Sequence, residues 1–518
     1  MNLGAALTRA AGHFKGRCAV VCGSQERTFT EVDENANRLA NGLLKLGVRK
    51  QDRVAIFCEN CVEYVETDWA LYKSGMVRVA INPLLSPAEV AYIIKDSGAN
   101  TVVVTPRLAK LVSQAKSQLP EVKHYLCISP PEEGMVEYSR FIAAQKADPP
   151  EIEVNEEDLS MLFYTGGTTG VPKGAMHTHE SIFQVLMNLQ AEFWHLNQSD
   201  IFLSGGSLAH ANGFRAMTSF LEGAKFIIPE QFVPAEIFRT VEREKVTLLS
   251  TVPTTLIRLC NYPDIKKFNL SSLRLITYGA APMPTEKLKE ALSIFGKRLG
   301  QSFGQAESLM AISHLSIEDH VPDGAEREVR KLASAGRPYI ANAVRIVDQE
   351  GRDVKIGDVG EVIVKSKINM KGYWRNQKAT LEALKDGWVY TGDLGTLDED
   401  GYIYLIDRKK DMIISGGYNI YAREVEDILH THPAIAEAAV IGVPDDEWGE
   451  SVKAVVALKA GMTLSEEGVI QYCKERLASY KKPKSVDFLP ELPKTSIGKI
   501  SKKDLKAPYW ANQKRAIH

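Results

Sequence analysis

The sequence has no excess of charge of either sign and no long hydrophobic run. Its 63 lysines and arginines nearly balance 65 aspartates and glutamates, which leaves a formal net charge of −2 at pH 7 without any basic or acidic block. This balance gives no reason to expect nucleic acid or an anionic membrane surface as a partner. No apolar stretch approaches the roughly 20 residues that a membrane-spanning helix needs. We therefore expect no integral membrane segment.

Targeting signals and paired cysteines are also missing. Residues 1–16 mix small apolar and basic side chains and lack the hydrophobic region of a secretory signal, and residues 515–518 do not form a peroxisomal tail. A cytoplasmic protein is therefore expected. The seven cysteines are scattered, and only Cys58 and Cys61 have metal-like spacing, without a second pair. We interpret them as small buried residues in a reducing compartment.

The length of 518 residues exceeds what one hydrophobic core usually supports, so at least two domains are expected. The composition, 44% hydrophobic and 25% charged, is that of an ordinary globular protein. Early in the chain, predicted strands alternate with predicted helices, which indicates a parallel sheet with helices on its faces. These elements are strand 54–58, helix 60–74, strand 76–81, helix 87–97 and strand 100–105.

The later part of the chain has a different pattern. Short strands separated by turns fill residues 340–406 and predict a small β-rich lobe. The charged stretch Asp407–Asp411 separates this lobe from about a hundred residues that we interpret as a compact α+β domain. We therefore predict an α/β fold with a large N-terminal domain of parallel αβ layers, a small β-barrel-like lobe and a small, mobile α+β C-terminal domain.

The most informative stretch is a loop rich in glycine and threonine that follows an apolar strand at 159–163. Its residues are Tyr164, Thr165, Gly166, Gly167, Thr168, Thr169, Gly170, Val171, Pro172, Lys173 and Gly174. Glycines let backbone N–H groups approach an anion, hydroxyls add donors and the lysine adds charge, so the loop is typical of a phosphate cradle. It differs from the common nucleotide-hydrolase loop because glycine, not serine or threonine, follows Lys173. A flexible surface loop is the alternative.

This loop resembles the signature loop of the adenylate-forming enzymes, which include acyl-CoA synthetases, adenylation domains of peptide synthetases and firefly-type luciferases. Further motifs resemble the same family along nearly the whole chain. The resemblance implies a large AMP-binding domain at 1–407, a hinge at 408–411 and a small domain at 412–518. It also implies an acyl-CoA synthetase that uses ATP, Mg²⁺ and CoA with a small-molecule carboxylic acid. Monomer and homodimer both stay open.

The resemblance assigns two segments to the adenine and the metal. Small residues after the strand at 273–277 leave room for a flat ring, although a tight strand-to-helix turn explains them equally well. They are Gly279, Ala280, Ala281 and Pro282. In the second segment, Phe303 would pack on adenine beside Ser302 and Gly304, as the family's aromatic residue does. Glu307 would hold Mg²⁺ together with Thr165, because hard oxygen ligands suit this ion.

The second segment departs from the family at Ala306, where threonine is usual. A hydroxyl donor to the α-phosphate is then missing, which would slow adenylation unless Ser302, Ser308 or water replaces it. Taken alone, Glu307 is more typical of a solvated surface acid, so its metal role depends on the resemblance.

The resemblance also assigns the ribose contacts and the hinge. Asp393 lies in a predicted buried strand, where an unpaired carboxylate is costly. In the family, the aspartate of the Thr-Gly-Asp motif accepts hydrogen bonds from both ribose hydroxyls, and the resemblance assigns this role to Asp393. Arg408 would contact the ribose and phosphate, and Lys410 would be the pivot of the hinge. On composition alone, the same residues form only a charged linker or turn.

Two segments of the small domain also resemble motifs of the family. The stretch Pro493–Ile500 matches the family's adenylation-lysine motif, which makes Lys499 the residue that reaches the carboxylate and the α-phosphate. A lone lysine on such a loop is otherwise merely solvated. A backbone with little side-chain bulk can lie flat along a narrow channel. The family's loop beside the CoA tunnel has this character, and its counterparts here are Ser415, Gly416, Gly417 and Tyr418.

These assignments predict two reactions at one centre. The carboxylate first attacks the α-phosphate of ATP, giving acyl-AMP and pyrophosphate, while Lys173, Lys499 and the metal on Glu307 offset the developing charge. Rotation about Lys410 then exposes the acyl-AMP to the thiol of CoA, which displaces AMP. No cysteine of the chain lies in an activating context, so no protein thiol is needed as a nucleophile.

The acyl pocket is predicted around a histidine-containing segment, although a lone histidine is more often structural. The pocket residues are His210, Asn212, Gly213, Phe214, Val252 and Gly304. Relatives that activate acetate carry tryptophan at the position of Gly304. We therefore expect a larger acid, either a medium or long fatty acid or an aromatic or alicyclic one. Arg215 is the candidate for binding a second carboxylate.

Three alternatives stay open. A stand-alone adenylation enzyme would load a separate carrier protein instead of CoA. A luciferase-like monooxygenase would share every motif. A catalytically inactive acyl-nucleotide sensor is favoured only by Ala306, whereas the charged motif residues argue against it.

Overall fold

A computed structural model gives the structure of the protein and describes residues 2–164, 171–495 and 500–511. Residues Thr165, Gly166, Gly167, Thr168, Thr169 and Gly170 of the predicted phosphate cradle lie outside the described residues, and so does Lys499. In the part of the chain that is described, no helix has both the length and the apolar character needed to cross a bilayer.

Two large sheets, mostly parallel, form the first part of the chain. The nine-stranded sheet has the order Arg337–Pro338, Ser313–Leu315, Leu299–Phe303, Leu275–Gly279, Leu248–Ser250, Ile201–Leu203, Lys225–Ile228, Cys18–Cys22, Gln25–Thr28. The seven-stranded sheet has the order Val136–Glu137, His124–Cys127, Thr101–Val104, Arg53–Phe57, Val77–Ala80, Leu159–Tyr164, Gly174–Thr178. The predicted alternation of strands and helices is thus confirmed, and the antiparallel pairs of the described residues lie toward the edges of the two sheets.

Helices lie between the two sheets and on both outer faces. One apolar core contains side chains from both sheets and from the intervening helices, whereas a separate core covers the outer face of each sheet. Two parallel sheets buried in this way need apolar residues on both faces of their strands. The helices of this part are Leu3–His13, Phe29–Lys45, Val62–Ser74, Pro87–Ser97, Pro106–Ala115, Tyr138–Ala143, His179–Leu189, Ala211–Leu221, Pro234–Glu244, Pro253–Cys260, Thr285–Phe295 and Glu326–Arg330.

Local sequence signals explain where these helices begin and end. Helix Pro87–Ser97 begins after Ser86, whose side chain forms a reciprocal capping box with Glu89, and it ends at Gly98 in the left-handed conformation. Such a box satisfies two backbone donors that the first turn leaves unpaired, and glycine accepts the left-handed turn without steric cost. Helix Phe29–Lys45 has the same type of box at its start.

The β-rich lobe is an antiparallel sheet that leads directly into the predicted hinge. Its strands are Ala343–Val347, Gly360–Lys365, Leu384–Lys385, Trp388–Leu397 and Ile403–Arg408, and its helix is Gln377–Ala383. Strand Ile403–Arg408 pairs with Trp388–Leu397 and continues through the first residue of the predicted hinge. The hinge region therefore begins as an ordered strand end and not as an irregular linker.

The small C-terminal domain has its own sheet and core, which confirms the predicted α+β class. Its strands are Ile413–Ser415, Tyr418–Ile420, Ile435–Asp445, Gly449–Leu458 and Ser485–Phe488, and its helices are Ala422–His430, Glu466–Lys474 and Lys502–Trp510. Apolar side chains from these elements form two clusters separate from those of the large domain.

Candidate active site

The carboxyl ends of neighbouring parallel strands bring the two predicted adenine segments together. Gly279, at the end of one strand, is paired in register with Ser302 of the next. A Cβ atom on Gly279 would lie 2.4 Å from the carbonyl oxygen of Ser302, so only glycine fits this close approach. Ala280 follows with a left-handed φ of 68°, which is a strained conformation for alanine. Ala280 and Pro282 are exposed, so this strained turn is open to a ligand, and Ala281 beside them is partly exposed.

The segment from Gln301 to Glu307 forms a partly exposed wall beside this turn. Gly304 in this wall packs against backbone, because a Cβ atom there would lie 2.4 Å from the carbonyl carbon of Met310. The close approach of Met310 therefore gives this glycine a packing role, and its role in the acyl pocket stays a prediction. Phe303 remains partly exposed, as a residue that stacks on a ring must be.

The two hydroxyls that were considered as replacements at Ala306 already donate elsewhere. Ser302 Oγ donates to the carbonyl oxygen of Met310 at 2.7 Å, and Ser308 Oγ donates to Asn369 Oδ1 at 2.7 Å. Both serines therefore have other partners in the structure, and their role at the α-phosphate stays a prediction. The carbonyl of Ala306 accepts a hydrogen bond from His177 Nε2 at 2.7 Å. Burial lowers the pKa of His177 to about 4, so this imidazole is neutral and its single proton is at Nε2.

Glu307 is held by a tyrosine that the sequence did not single out. The hydroxyl of Tyr373 donates to Glu307 Oε1 at 2.5 Å, and Lys173 Nζ lies 4.6 Å from the centre of the same ring. Burial and the neighbouring carboxylate of Glu307 raise the pKa of Tyr373 well above its usual range, so the phenol keeps its proton. Tyr373 therefore joins two predicted catalytic residues that are far apart in sequence.

Asp393 is buried in the β-rich lobe, as predicted, with a side chain that is 9% exposed. Its Oδ1 accepts a charge-assisted hydrogen bond from Arg408 Nε at 2.8 Å, and the two residues face each other across adjacent strands. Its backbone N–H donates to Thr391 Oγ1 at 3.1 Å, which fixes the turn before it. The two residues predicted to contact the ribose, Asp393 and Arg408, therefore contact each other.

Lys410 follows the last strand of this lobe, which ends at Arg408. Burial lowers the pKa of Lys410 and the nearby charge of Arg408 lowers it further, whereas Asp411, Asp393 and Glu307 act in the opposite direction. The ammonium group is therefore within electrostatic range of both predicted nucleotide-site carboxylates. The backbone N–H of Met370 also donates to the carbonyl of Glu307 at 2.8 Å, which ties the two parts of the site together.

A second ion pair stands beside the ribose-contact residues. Lys409 Nζ donates to Glu361 Oε2 at 2.9 Å, and Glu361 Oε1 accepts the backbone N–H of Gly392 at 3.0 Å. These residues line an open cavity with an empty volume of about 670 Å³, and Lys173 contributes to the same wall. The cavity thus joins the ribose-contact region to the end of the predicted phosphate loop.

Four of the six predicted acyl-pocket residues lie at the start of helix Ala211–Leu221, namely His210, Asn212, Gly213 and Phe214. His210 Nε2 is 3.1 Å from the amide nitrogen of Asn82, and its ring centre lies 5.8 Å from that of Phe163. Phe214 is buried and lies 6.5 Å from Phe163, ring centre to ring centre. His210 is therefore held by an amide and an aromatic ring instead of being free in solvent.

Three further members of the predicted pocket have structural roles of their own. Gly213 is required by packing, because a Cβ atom would lie 2.7 Å from the carbonyl oxygen of Leu208. Val252 caps helix Pro253–Cys260 and stays partly exposed. Asn212 is buried, and its Oδ1 accepts hydrogen bonds from Ser250 Oγ at 2.9 Å and Arg215 Nη1 at 3.1 Å.

The predicted CoA-tunnel loop is a tight hairpin instead of a flat, extended segment. Gly416 and Gly417 have φ values of 57° and 81° and connect two short antiparallel strands, as glycine does in two-residue turns. Ser415 ends the first strand and Tyr418 begins the second. Tyr418 is exposed and stacks on Tyr480 at 4.8 Å. The small side chains therefore serve a turn whose tip is open to solvent.

Family models match most of the chain. The model of the AMP-binding enzyme matches residues 7–374, and that of the AMP-binding enzyme C-terminal domain matches residues 424–499. The chain belongs to the AMP-binding enzyme family. This membership confirms the resemblance on which the site was predicted.

Individual members of the AMP-binding enzyme family support the acyl-CoA synthetase branch. Feruloyl-CoA synthase of an Amycolatopsis species is 37% identical over 94% of this chain and 95% of its own. The medium/long-chain fatty acid–CoA ligase of Mycobacterium tuberculosis is 35% identical over 86% of this chain and 79% of its own. The structure of o-succinylbenzoate coenzyme A synthetase from Bacillus subtilis, in complex with AMP, has a TM-score of 0.84 at 30% identity and covers 97% of this chain and 98% of that one.

The sequence missed Tyr373 and Glu361, which contact Glu307 and Lys409 in this AMP-binding enzyme. Tyr373 lies 66 residues after Glu307, in the connection between strands Gly360–Lys365 and Leu384–Lys385. No spacing rule links residues so far apart. The one available signal was a tyrosine and a tryptophan beside each other in a Gly- and Asn-containing turn.

Proposed function

We propose that this protein is an ATP-dependent carboxylic acid–CoA ligase that acts in two steps. A carboxylate and ATP give acyl-AMP and pyrophosphate, and the thiol of CoA then takes the acyl group and releases AMP. The acid is larger than acetate, either a fatty acid of medium or long chain or an aromatic or alicyclic acid. The named relatives are CoA ligases, which makes a carrier protein the less supported acceptor.

The geometry that carries the proposal is a carboxylate held beside a lysine at one end of the site and a second carboxylate held by an arginine at the other. Tyr373 donates to Glu307 Oε1 at 2.5 Å with Lys173 Nζ 4.6 Å from its ring centre, and Arg408 Nε lies 2.8 Å from Asp393 Oδ1. A nucleotide that spans from the lobe to the large sheet would place its ribose against Asp393 and its phosphates toward Glu307. We assign Phe303 and the turn Gly279–Pro282 to the adenine on the same basis.

Glu307 has the chemistry expected of a magnesium ligand. Mg²⁺ is usually held by one or two carboxylates together with substrate phosphates instead of by a closed protein cage. Among the described residues no group of three or more potential metal ligands occurs, which agrees with this open mode of binding. Glu307 Oε1 is held by the hydroxyl of Tyr373, and the carboxylate would be the protein ligand of the ion. When bound, the ion would offset charge on the phosphate oxygens.

The positive side chains around the site would stabilise the charge that develops as the carboxylate approaches the α-phosphate. Arg408 is fixed by Asp393, and Lys173 is fixed over the ring of Tyr373. Preorganised charges of this kind do not have to reorient during the reaction. Lys499, which lies outside the described residues, is assigned the direct contact with the two reacting anions.

The second step uses the thiol of CoA and no thiol of the protein. All seven cysteines are free, and burial raises the pKa of Cys58, Cys61 and Cys127. A raised pKa keeps a thiol protonated and unreactive. The hairpin at Gly416 and Gly417 is assigned to the path of the pantetheine arm, because its tip carries no side-chain bulk.

A pyrophosphate-release assay over a panel of carboxylic acids tests the proposal. With Mg·ATP, we expect pyrophosphate only when a suitable acid is present, and AMP with acyl-CoA when CoA is added. Omission of Mg²⁺ should abolish both products. If no acid in the panel releases pyrophosphate, the proposal is wrong. If pyrophosphate forms but CoA is never acylated, the acceptor is another thiol, such as that of a carrier protein.

Matched variants of two ion pairs in the same lobe test the nucleotide assignment. Asp393→Asn weakens a buried pair with Arg408, whereas Asp353→Asn weakens an exposed pair with Arg345, in which Nε and Oδ1 are 2.6 Å apart. We expect Asp393→Asn to lower kcat/KM for ATP by about 10- to 100-fold, the cost of losing a charged hydrogen bond. Asp353→Asn should leave it unchanged. Equal effects would show that Asp393 does not contact the nucleotide.

A further inference from the structure

Arg215 lies deep in the large domain without a carboxylate partner among the described residues. It lies on helix Ala211–Leu221, whose first residues belong to the predicted acyl pocket. Its Nε is buried and makes no hydrogen bond in the described structure, and its Nη1 donates to Asn212 Oδ1 at 3.1 Å. Burial alone lowers the pKa of Arg215 to about 10. The guanidinium therefore stays charged at neutral pH and is poorly compensated.

The other buried arginine of this region is fully paired, which makes Arg215 unusual. Arg78 Nε donates to Asp68 Oδ1 at 2.6 Å, and its Nη2 donates to Tyr64 and to the carbonyl oxygen of Leu208. Buried charges are normally paired in this way, because an isolated charge in a protein interior is costly. Arg215 has a neutral amide as its described partner.

Arg215 also lies beside the residues assigned to the acyl pocket. Its partner Asn212 accepts from Ser250, which ends a strand of the large sheet next to the one that ends in Gly279. His210 and Phe214 flank it at the start of the same helix. The residue as a whole is partly exposed, although its Nε is buried.

We propose that the acid activated by this enzyme carries a second anionic group, which binds the guanidinium of Arg215. The inference rests on the proposed function and narrows its substrate class. A carboxylate in this position would accept from Nε and a terminal nitrogen in the two-point geometry that arginine provides. A plain hydrocarbon tail would instead leave the guanidinium without a counter-charge and exclude water from it, which is costly for a charged group.

Matched pairs of acids test this with the wild-type protein alone. Pyrophosphate release is measured for saturated monocarboxylates of four to about ten carbons and for the α,ω-dicarboxylates of the same lengths, together with benzoate and its para-carboxylate. We expect at least one diacid to exceed its monoacid partner in kcat/KM by about 10-fold or more. If every diacid is used no better than its partner, the inference is overturned.

Variants of Arg215 test whether this residue causes a preference for diacids over monoacids. Arg215→Met should lower kcat/KM for the preferred diacid by about 10- to 100-fold and leave or improve that for the monoacid, whereas Arg215→Lys should retain part of the preference. Arg140→Met, at a side chain that is 87% exposed, is the matched control and should change neither value. An unchanged ratio in Arg215→Met would overturn the inference. If Arg215→Met does not fold, the inference is tested by kcat/KM of the wild type and of Arg215→Lys with the paired diacids and monoacids.

The outcome separates this inference from the function on which it rests. Absence of pyrophosphate with every acid would overturn both. Acid-dependent pyrophosphate without preference for any diacid would leave the ligase function intact and overturn only the assignment of Arg215. A phenolic or other neutral oxygen at the distal end is tested by para-hydroxybenzoate. If kcat/KM for para-hydroxybenzoate equals that for the para-carboxylate, and Arg215→Met lowers both values equally, the second group does not have to be an anion and the inference is overturned.

Discussion

Replacing Tyr373 with phenylalanine removes one hydroxyl and leaves the rest of the site in place. That hydroxyl donates to Glu307 Oε1 at 2.5 Å, and the ring that remains still lies under Lys173 Nζ at 4.6 Å. A hydrogen bond to a charged group contributes about 1.5–3 kcal/mol, and the lower end applies because Glu307 is partly exposed. At 1.4 kcal/mol for each factor of ten, we expect kcat/KM for Mg·ATP to fall about 10-fold.

The assay is initial-rate pyrophosphate release at varied Mg·ATP with a saturating acid. Because Tyr373 orients the carboxylate assigned to the metal, the loss should appear mainly as a higher requirement for Mg·ATP. Tyr373→Leu should lose more, since it also removes the ring below Lys173, a contact contributing about 0.5–1 kcal/mol.

Tyr404→Phe is the matched control. Its hydroxyl donates to Asp398 Oδ2 at 3.0 Å, and its ring lies 4.9 Å from the Arg330 guanidinium, so it has the same chemistry outside the candidate site. We expect it to leave kcat/KM unchanged. An unchanged Mg·ATP dependence in Tyr373→Phe, with folding intact, would refute the assignment of Glu307 to the metal.

Three further predictions concern the two reaction steps and stability. Lys499→Ala should abolish adenylation yet leave thioester formation from supplied acyl-AMP largely intact, and equal loss of both steps would contradict its role. Gly416→Ala puts a methyl group 2.2 Å from the Trp448 ring at a left-handed φ of 57°, so acyl-CoA formation should slow more than pyrophosphate release. Burial raises the pKa of Glu66 from 4.5 to about 7, so the folded state keeps a proton that the unfolded chain has lost between these values. Thermal stability should therefore fall as pH rises through this window, and Glu66→Gln should show a smaller slope.

The periodic part of the fold follows from the sequence because its determinants are local. Strands and helices between 54 and 105 lie within a few residues of the predicted bounds, since apolar periodicity and end-capping residues act over single turns. Asp393 was also predictable as a buried acid, because it lies between apolar residues of one strand.

The pairing between distant segments could not be predicted in the same way. The Tyr373–Glu307 hydrogen bond and the Met310 backbone against Gly304 depend on how loops from different sheets pack. Gly304 shows the difficulty, because the absence of a side chain is equally compatible with space for a ligand and with close backbone contact. The hydroxyl of Ser302 was a plausible donor until its bond to Met310 was seen.

The contact between Arg408 and Asp393 links nucleotide binding to the start of the hinge. In the described structure the carboxylate is already engaged by the residue that ends strand Ile403–Arg408, so a ribose must share it or displace the guanidinium. With the ribose bound at Asp393 as proposed, part of the binding free energy at the sugar would favour one orientation of the segment that follows. By linkage, rotation of the C-terminal domain about the proposed hinge would change the affinity for AMP. Release of AMP would then follow from domain rotation, without a separate trigger.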